Sequence, residues 1–148
     1  MGGSTRDCSG TSMTAEARRE TLARHFELFT RGHEEPDLKE EWLTLFTPDC
    51  VGEEPVGSEP RVGIMSIGWD MTHSDLRRLW LYPVLIIPSA STPECASVVR
   101  ERLLIDGNET WMTAVGTWLF ADDGPIAGSR IFIESGQMGP DAWDRLTS

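Results

Sequence analysis

Basic side chains are scarce in this 148-residue chain: 13 Lys and Arg stand against 24 Asp and Glu, for a net charge of -11. Proteins bind nucleic acid by neutralising phosphates with Lys and Arg, so this balance argues against such a partner. An anionic membrane surface is disfavoured for the same reason. Only three cysteines occur, Cys8, Cys50 and Cys95, far apart and without a CxxC pair. A disulfide framework or zinc site is therefore not expected, and the thiols read as reduced, in a cytoplasmic protein. No apolar run approaches the roughly 18 residues that span a bilayer. The opening "MGGSTRDCSGTSM" lacks the apolar core of a secretion signal, so residues 1–13 read as a disordered tail. No P-loop, GxGxxG or Ser/His/Asp order is present, which leaves nucleotide cofactors, phosphoryl transfer and hydrolase triads without support. No cofactor and no metal are expected. Asp70, His73 and Asp75 cluster near a helix end, where charges are usually solvated.

What remains fits one domain, residues 14–148. "TAEARRETLARHFELFTRG" opens with Thr14 as N-cap and places Leu22, His25, Phe26 and Phe29 on one helical face, with Gly32 ending the helix. Asp37 is expected to cap a second helix carrying Leu38, Trp42, Leu45 and Phe46. "CVGEE" reads as a short strand and "RVGIMSIGWDMTHSDL" as a third helix with Ile64, Met65, Ile67 and Trp69 inward. Strands are then expected near 78–87, 96–106, 110–120 and 126–134, with "DGN" as a hairpin signal. The pattern predicts an α+β fold: a cone of three N-terminal helices packed on a curved antiparallel sheet, enclosing an apolar pocket.

Two features suggest chemistry in that pocket. In "SVVRERLLI", Ser97, Val99, Glu101, Leu103 and Ile105 share the more apolar strand face. A carboxylate set between Val99 and Leu103 is costly unless paired, hydrated or neutral; a bridge to a neighbouring arginine such as Arg130 is the plainer alternative. The second feature is "GEEPVGSEPRVG", in which strand alternation turns Glu54 inward and Glu53 outward.

"EEPVGSEPRVG" resembles the base-bearing segment of ketosteroid isomerases, and the order of elements resembles theirs within the nuclear transport factor 2-like superfamily. The resemblance extends from about Arg24 to Phe132. It implies Glu54 as general base and puts His25 at the family's tyrosine donor. Gly116 falls at its protonated aspartic acid, which removes that donor. Glu101 stands where the isomerases are apolar. The implied pocket holds Glu54, Glu101 and His25, walled by Leu103, Ala114, Gly116, Trp118, Ile131 and Ile133, with Met65, Trp69 and Tyr82 as further contacts. Tyr82 is the only tyrosine.

Two carboxyls in one apolar cavity drive their pKa values apart, so that one serves as acid and the other as base. This is similar to the isomerase-like cyclases and epoxide-opening enzymes of polyketide and polyether biosynthesis. The expected activity is cofactor-independent ring closure on a hydrophobic small molecule, with Glu54 as base and Glu101 or His25 as acid. A double-bond isomerase and a non-catalytic binding module are the alternatives. Apolar residues on both sheet faces, and the habit of the family, favour a homodimer.

Overall fold

A computed structural model describes residues 13–63 and 65–133. Ile64, the side chain of Ile67, and Glu134 at the expected end of the last strand lie outside the described residues, as does Cys8. Helix α1 spans Ala15–Arg31; Thr14 caps it by accepting a 3.0 Å hydrogen bond from the Ala17 amide. Leu22, His25, Phe26 and Phe29 are buried on one face, as the 3.6-residue spacing predicts, together with Leu28. Gly32 follows, but not as a left-handed cap: its φ is -59°. A methyl group there would meet the Trp69 ring at 2.2 Å, so the glycine serves close packing.

The second helix is shorter than expected. Pro36–Leu38 form a 3-10 turn, and α2 covers only Lys39–Leu43. Asp37 sits inside that turn without capping it. Phe46 belongs not to the helix but to strand β1, Phe46–Glu53, which starts four residues earlier than "CVGEE" suggests. A two-residue strand β2, Arg61–Val62, takes the start of the expected third helix, leaving α3 as Met65–Thr72. Of the three expected helices, only α1 is long.

The remaining chain is a meander of β3 (Arg77–Pro88), β4 (Glu94–Ile105), β5 (Asn108–Phe120) and β6 (Ile126–Ile133). Asp106 and Gly107, with φ of 51° and 84°, form the two-residue hairpin loop anticipated at "DGN". The sheet order is β2-β1-β6-β5-β4-β3. It is mixed rather than antiparallel, because β1 runs parallel to β6. That pairing sets the end of β1, and hence Glu54, beside Ser129 and Arg130.

Burial alternates strictly along β4 and β5. Cys95, Ser97, Val99, Glu101 and Leu103 are buried from β4, and Met112, Ala114, Gly116, Trp118 and Phe120 from β5. α1 lies across this inner face. No helix among the described residues is long and apolar enough to cross a membrane. Cys50 and Cys95 are free and buried.

Candidate active site

A predominantly apolar cavity opens between α1, α3 and the inner sheet face, with about 110 Å³ of space open to the centres of water molecules. That is room for several waters. Its walls include Glu54, Glu101, His25, Met65, Ala114, Gly116, Trp118, Ile131 and Ile133. The structure thus brings together the three expected polar residues and six of the expected contacts.

Three expected contacts lie elsewhere. Tyr82 is on the opposite sheet face, 40% exposed and stacked on Trp111 at 5.8 Å. Leu103 is buried on the inner face, paired with Leu79, but is not part of the cavity lining. Trp69 packs away from the cavity, against Phe29, Trp42 and His73. Phe26, Phe29, Met71, Leu79, Leu81, Ser97 and Val99 also line the cavity. Ser97 and Val99 do so on the same alternation that places Glu101 inward, whereas Met71, Leu79 and Leu81 carry no signal in the sequence that marks them as pocket residues.

Glu54 and its neighbour divide the work of the turn. Glu53 pairs with Arg130 at 3.1 Å and accepts a 3.1 Å hydrogen bond from the Gly57 amide. Both contacts hold its carboxyl below the usual range. The Val56 amide donates to the Ile131 carbonyl at 2.8 Å, fastening the turn to β6. With the turn held, the next side chain is directed inward: Glu54 Oε1 accepts from Ser129 Oγ at 3.1 Å. Burial raises the Glu54 pKa, and the serine hydrogen bond opposes that rise.

Glu101 is only 7% exposed, between Leu81 and Met112 on the flanking strands. Arg130, the alternative partner, is committed to Glu53, and no cation is paired with Glu101 among the described residues. Burial, followed by the nearby Glu54 charge, pushes its pKa up to about 8. At neutral pH Glu101 therefore carries a proton, and Glu54 is the carboxyl that ionises first.

His25 is buried within a cage of Phe26, Phe29, Trp42, Phe46 and Trp118 rings, at centroid distances of 4.8–6.1 Å. Burial lowers its pKa to about 3. Its Nδ1 accepts a 2.8 Å hydrogen bond from Trp42 Nε1. A histidine that resists protonation is a poor general acid, so the cavity favours Glu101 for that role over His25.

Gly116 has close neighbours on its cavity side. A methyl group there would lie 2.7 Å from Ile131 Cδ1, 2.8 Å from Trp118 Nε1 and 3.2 Å from Ser97 Oγ. The indole of Trp118, hydrogen-bonded to Ser97 at 2.9 Å, occupies that space.

Asp70, His73 and Asp75 do not converge. Asp70 pairs with Lys39, and Asp75 with Arg78. The His73 nitrogens lie 2.7 Å from the Trp69 and Phe29 carbonyl oxygens. Among the described residues no group of three His, Cys, Asp or Glu side chains is placed to hold a metal.

No family model and no curated protein sequence matches the chain. Solved structures do match. One is SalBIII, an epoxide hydrolase/cyclase-like enzyme with a role in pyran ring formation in the polyether salinomycin. It aligns with a TM-score of 0.67 at 18% identity, over 82% of this chain and 94% of that one. Bal32a, from a soil-derived mobile gene cassette, aligns with a TM-score of 0.65 at 14% identity, over 90% and 98%. A computationally designed 17-OHP binder aligns with a TM-score of 0.62 at 22% identity, over 79% and 95%. At these identities the likeness establishes the fold.

Proposed function

For a chain with the ketosteroid isomerase-like fold of the nuclear transport factor 2-like superfamily, we propose a cofactor-independent acid–base enzyme that closes a ring on a hydrophobic, oxygenated intermediate. The observation that carries this reading is the pair of carboxyls in one apolar cavity, Glu54 held by Ser129 and Glu101 unpaired. Their environments separate their protonation states, which suits them to opposite roles. The likeness to a ring-forming, epoxide-opening enzyme supports the same choice of chemistry.

The substrate hydroxyl gives its proton to the Glu54 carboxylate while its oxygen bonds to an epoxide carbon. The carbon–oxygen bond of the epoxide breaks, and its oxygen takes the proton of Glu101. The product is a cyclic ether with a new hydroxyl; return of one proton from Glu54 to Glu101 resets the pair. Apolar walls exclude competing water and strengthen both interactions.

A hydrophobic hydroxy-epoxide series tests this, with product ring formation as readout. Glu54→Gln and Glu101→Gln should each abolish most turnover while substrate still binds. Normal turnover in either variant removes that residue from the mechanism. The double-bond isomerase reading has one observation in its favour, the neutral His25 donor in the cavity wall. It requires solvent deuterium at carbon in the product, which ring closure does not.

A further inference from the structure

Two tryptophans fix the polarity of the groups they touch. An indole N–H donates and never accepts. The 2.8 Å bond from Trp42 Nε1 therefore meets a lone pair on His25 Nδ1, and the neutral imidazole carries its proton on Nε2. By the same logic Ser97 Oγ accepts from Trp118 Nε1 at 2.9 Å and keeps its own proton to donate. Neither His25 Nε2 nor the Ser97 hydroxyl proton has a further partner among the described residues, although both side chains are buried and line the cavity. Trp118 connects them, its ring 5.2 Å from that of His25.

The geometry points to a donor pole in the cavity, formed by His25 Nε2–H and Ser97 Oγ–H, that binds an acceptor-only oxygen of the ligand: a ketone or ether oxygen, distinct from the epoxide oxygen that Glu101 protonates. Both donors face the water-sized space of the cavity, so a ligand that displaces that water satisfies them with an oxygen, whereas a bare hydrocarbon leaves them unpaired at a cost. A site of this kind rejects the analogue that lacks the matching group. Trp42 and Trp118 are positioning residues, since each blocks the acceptor side of the group it holds. The inference rests on the cavity being the ligand site, and not on either glutamate turning over.

The test compares 2-decalone with its hydrocarbon, decalin, by NMR titration of the full chain, alongside nitrogen–proton correlation spectra of His25. The expected tautomer has the proton on Nε2 in the wild type and loses that fixed assignment in Trp42→Phe. The ketone should bind at least ten-fold better than decalin, and Ser97→Ala or His25→Phe should bring the two toward parity. The preference should survive Glu101→Leu, which removes the other cavity donor. Equal binding of both probes to the wild type, or a proton on Nδ1, overturns the proposal. Loss of the preference in Glu101→Leu also overturns it, because the oxygen then belongs to Glu101. Normal turnover in Glu54→Gln sinks the acid–base mechanism and leaves the binding preference intact, so the two failures are distinguishable.

Discussion

The two faces of β4 and β5 handle charge in opposite ways. On the outer face, Arg102 bonds to Glu109 at 2.8 Å and lies 4.3 Å over the Trp80 ring, while Trp111 donates to the same glutamate at 2.9 Å. Glu109 is exposed, and these donors, Arg102 first, hold it below its ordinary pKa. One residue back along β4 from Arg102, on the inner face, Glu101 has no cation and a pKa pushed up to about 8. The turn repeats the contrast in two adjacent, half-buried residues: Glu53 has a cationic partner and is lowered, while Glu54 has none and is raised by burial. Similar side chains a residue apart can therefore be held ionised in one case and pushed toward the neutral form in the other. What differs is the access of water and the presence of a partner, not the amino acid.

The largest effect should come from exchanging the ionisable group on the inner side of the turn. Glu54→Gln is expected to lower turnover by about 10²–10⁴, the usual contribution of a general base. Glu53→Gln, outside the cavity, should act only by loosening the turn. If single-turnover measurements with a hydroxy-epoxide show the two variants equally impaired, the division between them is wrong.

Next comes the pH response of Glu101. Its folded pKa lies above the ordinary value of 4.5, so the folded state holds a proton that the unfolded chain releases. The stability linked to that proton is fully present below about pH 4.5 and is lost as pH rises through about 8. The change across that window is on the order of a few kcal/mol. Thermal unfolding at pH 6 and pH 9 checks this: Glu101→Gln should flatten the loss, and a wild-type slope in that variant would place the titration elsewhere. Activity should show an alkaline limb over the same range, because ring closure needs Glu101 protonated.

A smaller effect tests how tightly the inner face is filled. Gly116→Ala should destabilise by about 1–3 kcal/mol, since the added methyl meets atoms at 2.7 and 2.8 Å. Gly68→Ala in α3 is the control, with nothing within 4 Å of the added carbon. It should stabilise by about 0.5–1 kcal/mol through helix propensity. Denaturant midpoints compare the two directly, and equal effects would mean that the inner face gives way around Gly116.

Much of this contrast is legible in the residues themselves. Period-two alternation along "SVVRERLLI" places Glu101 inward, and the helical stripe places His25 inward, because both depend only on local geometry. Tyr82 shows where that reasoning stops. It alternates with the buried Leu79 and Leu81 and pairs with Arg100 ahead of the register shift at Pro83/Leu85. Its direction is set by which of the two strand faces turns inward, which alternation alone does not say. Leu103 shares the face of Glu101 yet is not among the lining residues, because a shared face does not fix which part of it borders the cavity. The parallel pairing of β1 with β6 and the Trp42–His25 bond join segments distant in sequence. No periodicity records such contacts. The short α2 reflects the entry of Phe46 into β1, where sheet pairing overrides the helical spacing of Leu38, Trp42 and Phe46.

The outer face supplies the weakest and most discriminating test. Arg102→Ala removes a solvent-exposed ion pair and a cation–π contact, which together should contribute about 0.5–1.5 kcal/mol. Most of the ion-pair share should vanish in high salt, because water and counterions reach both partners. Ring-forming activity should not change, since Arg102 faces away from the cavity. Urea midpoints at low and high salt measure the first part, and turnover the second. A loss well above 2 kcal/mol that persists in salt would mean water does not reach this face. The contrast between a solvated, ion-paired surface and a mostly apolar cavity whose carboxyls have no cation would then fail on its outer side.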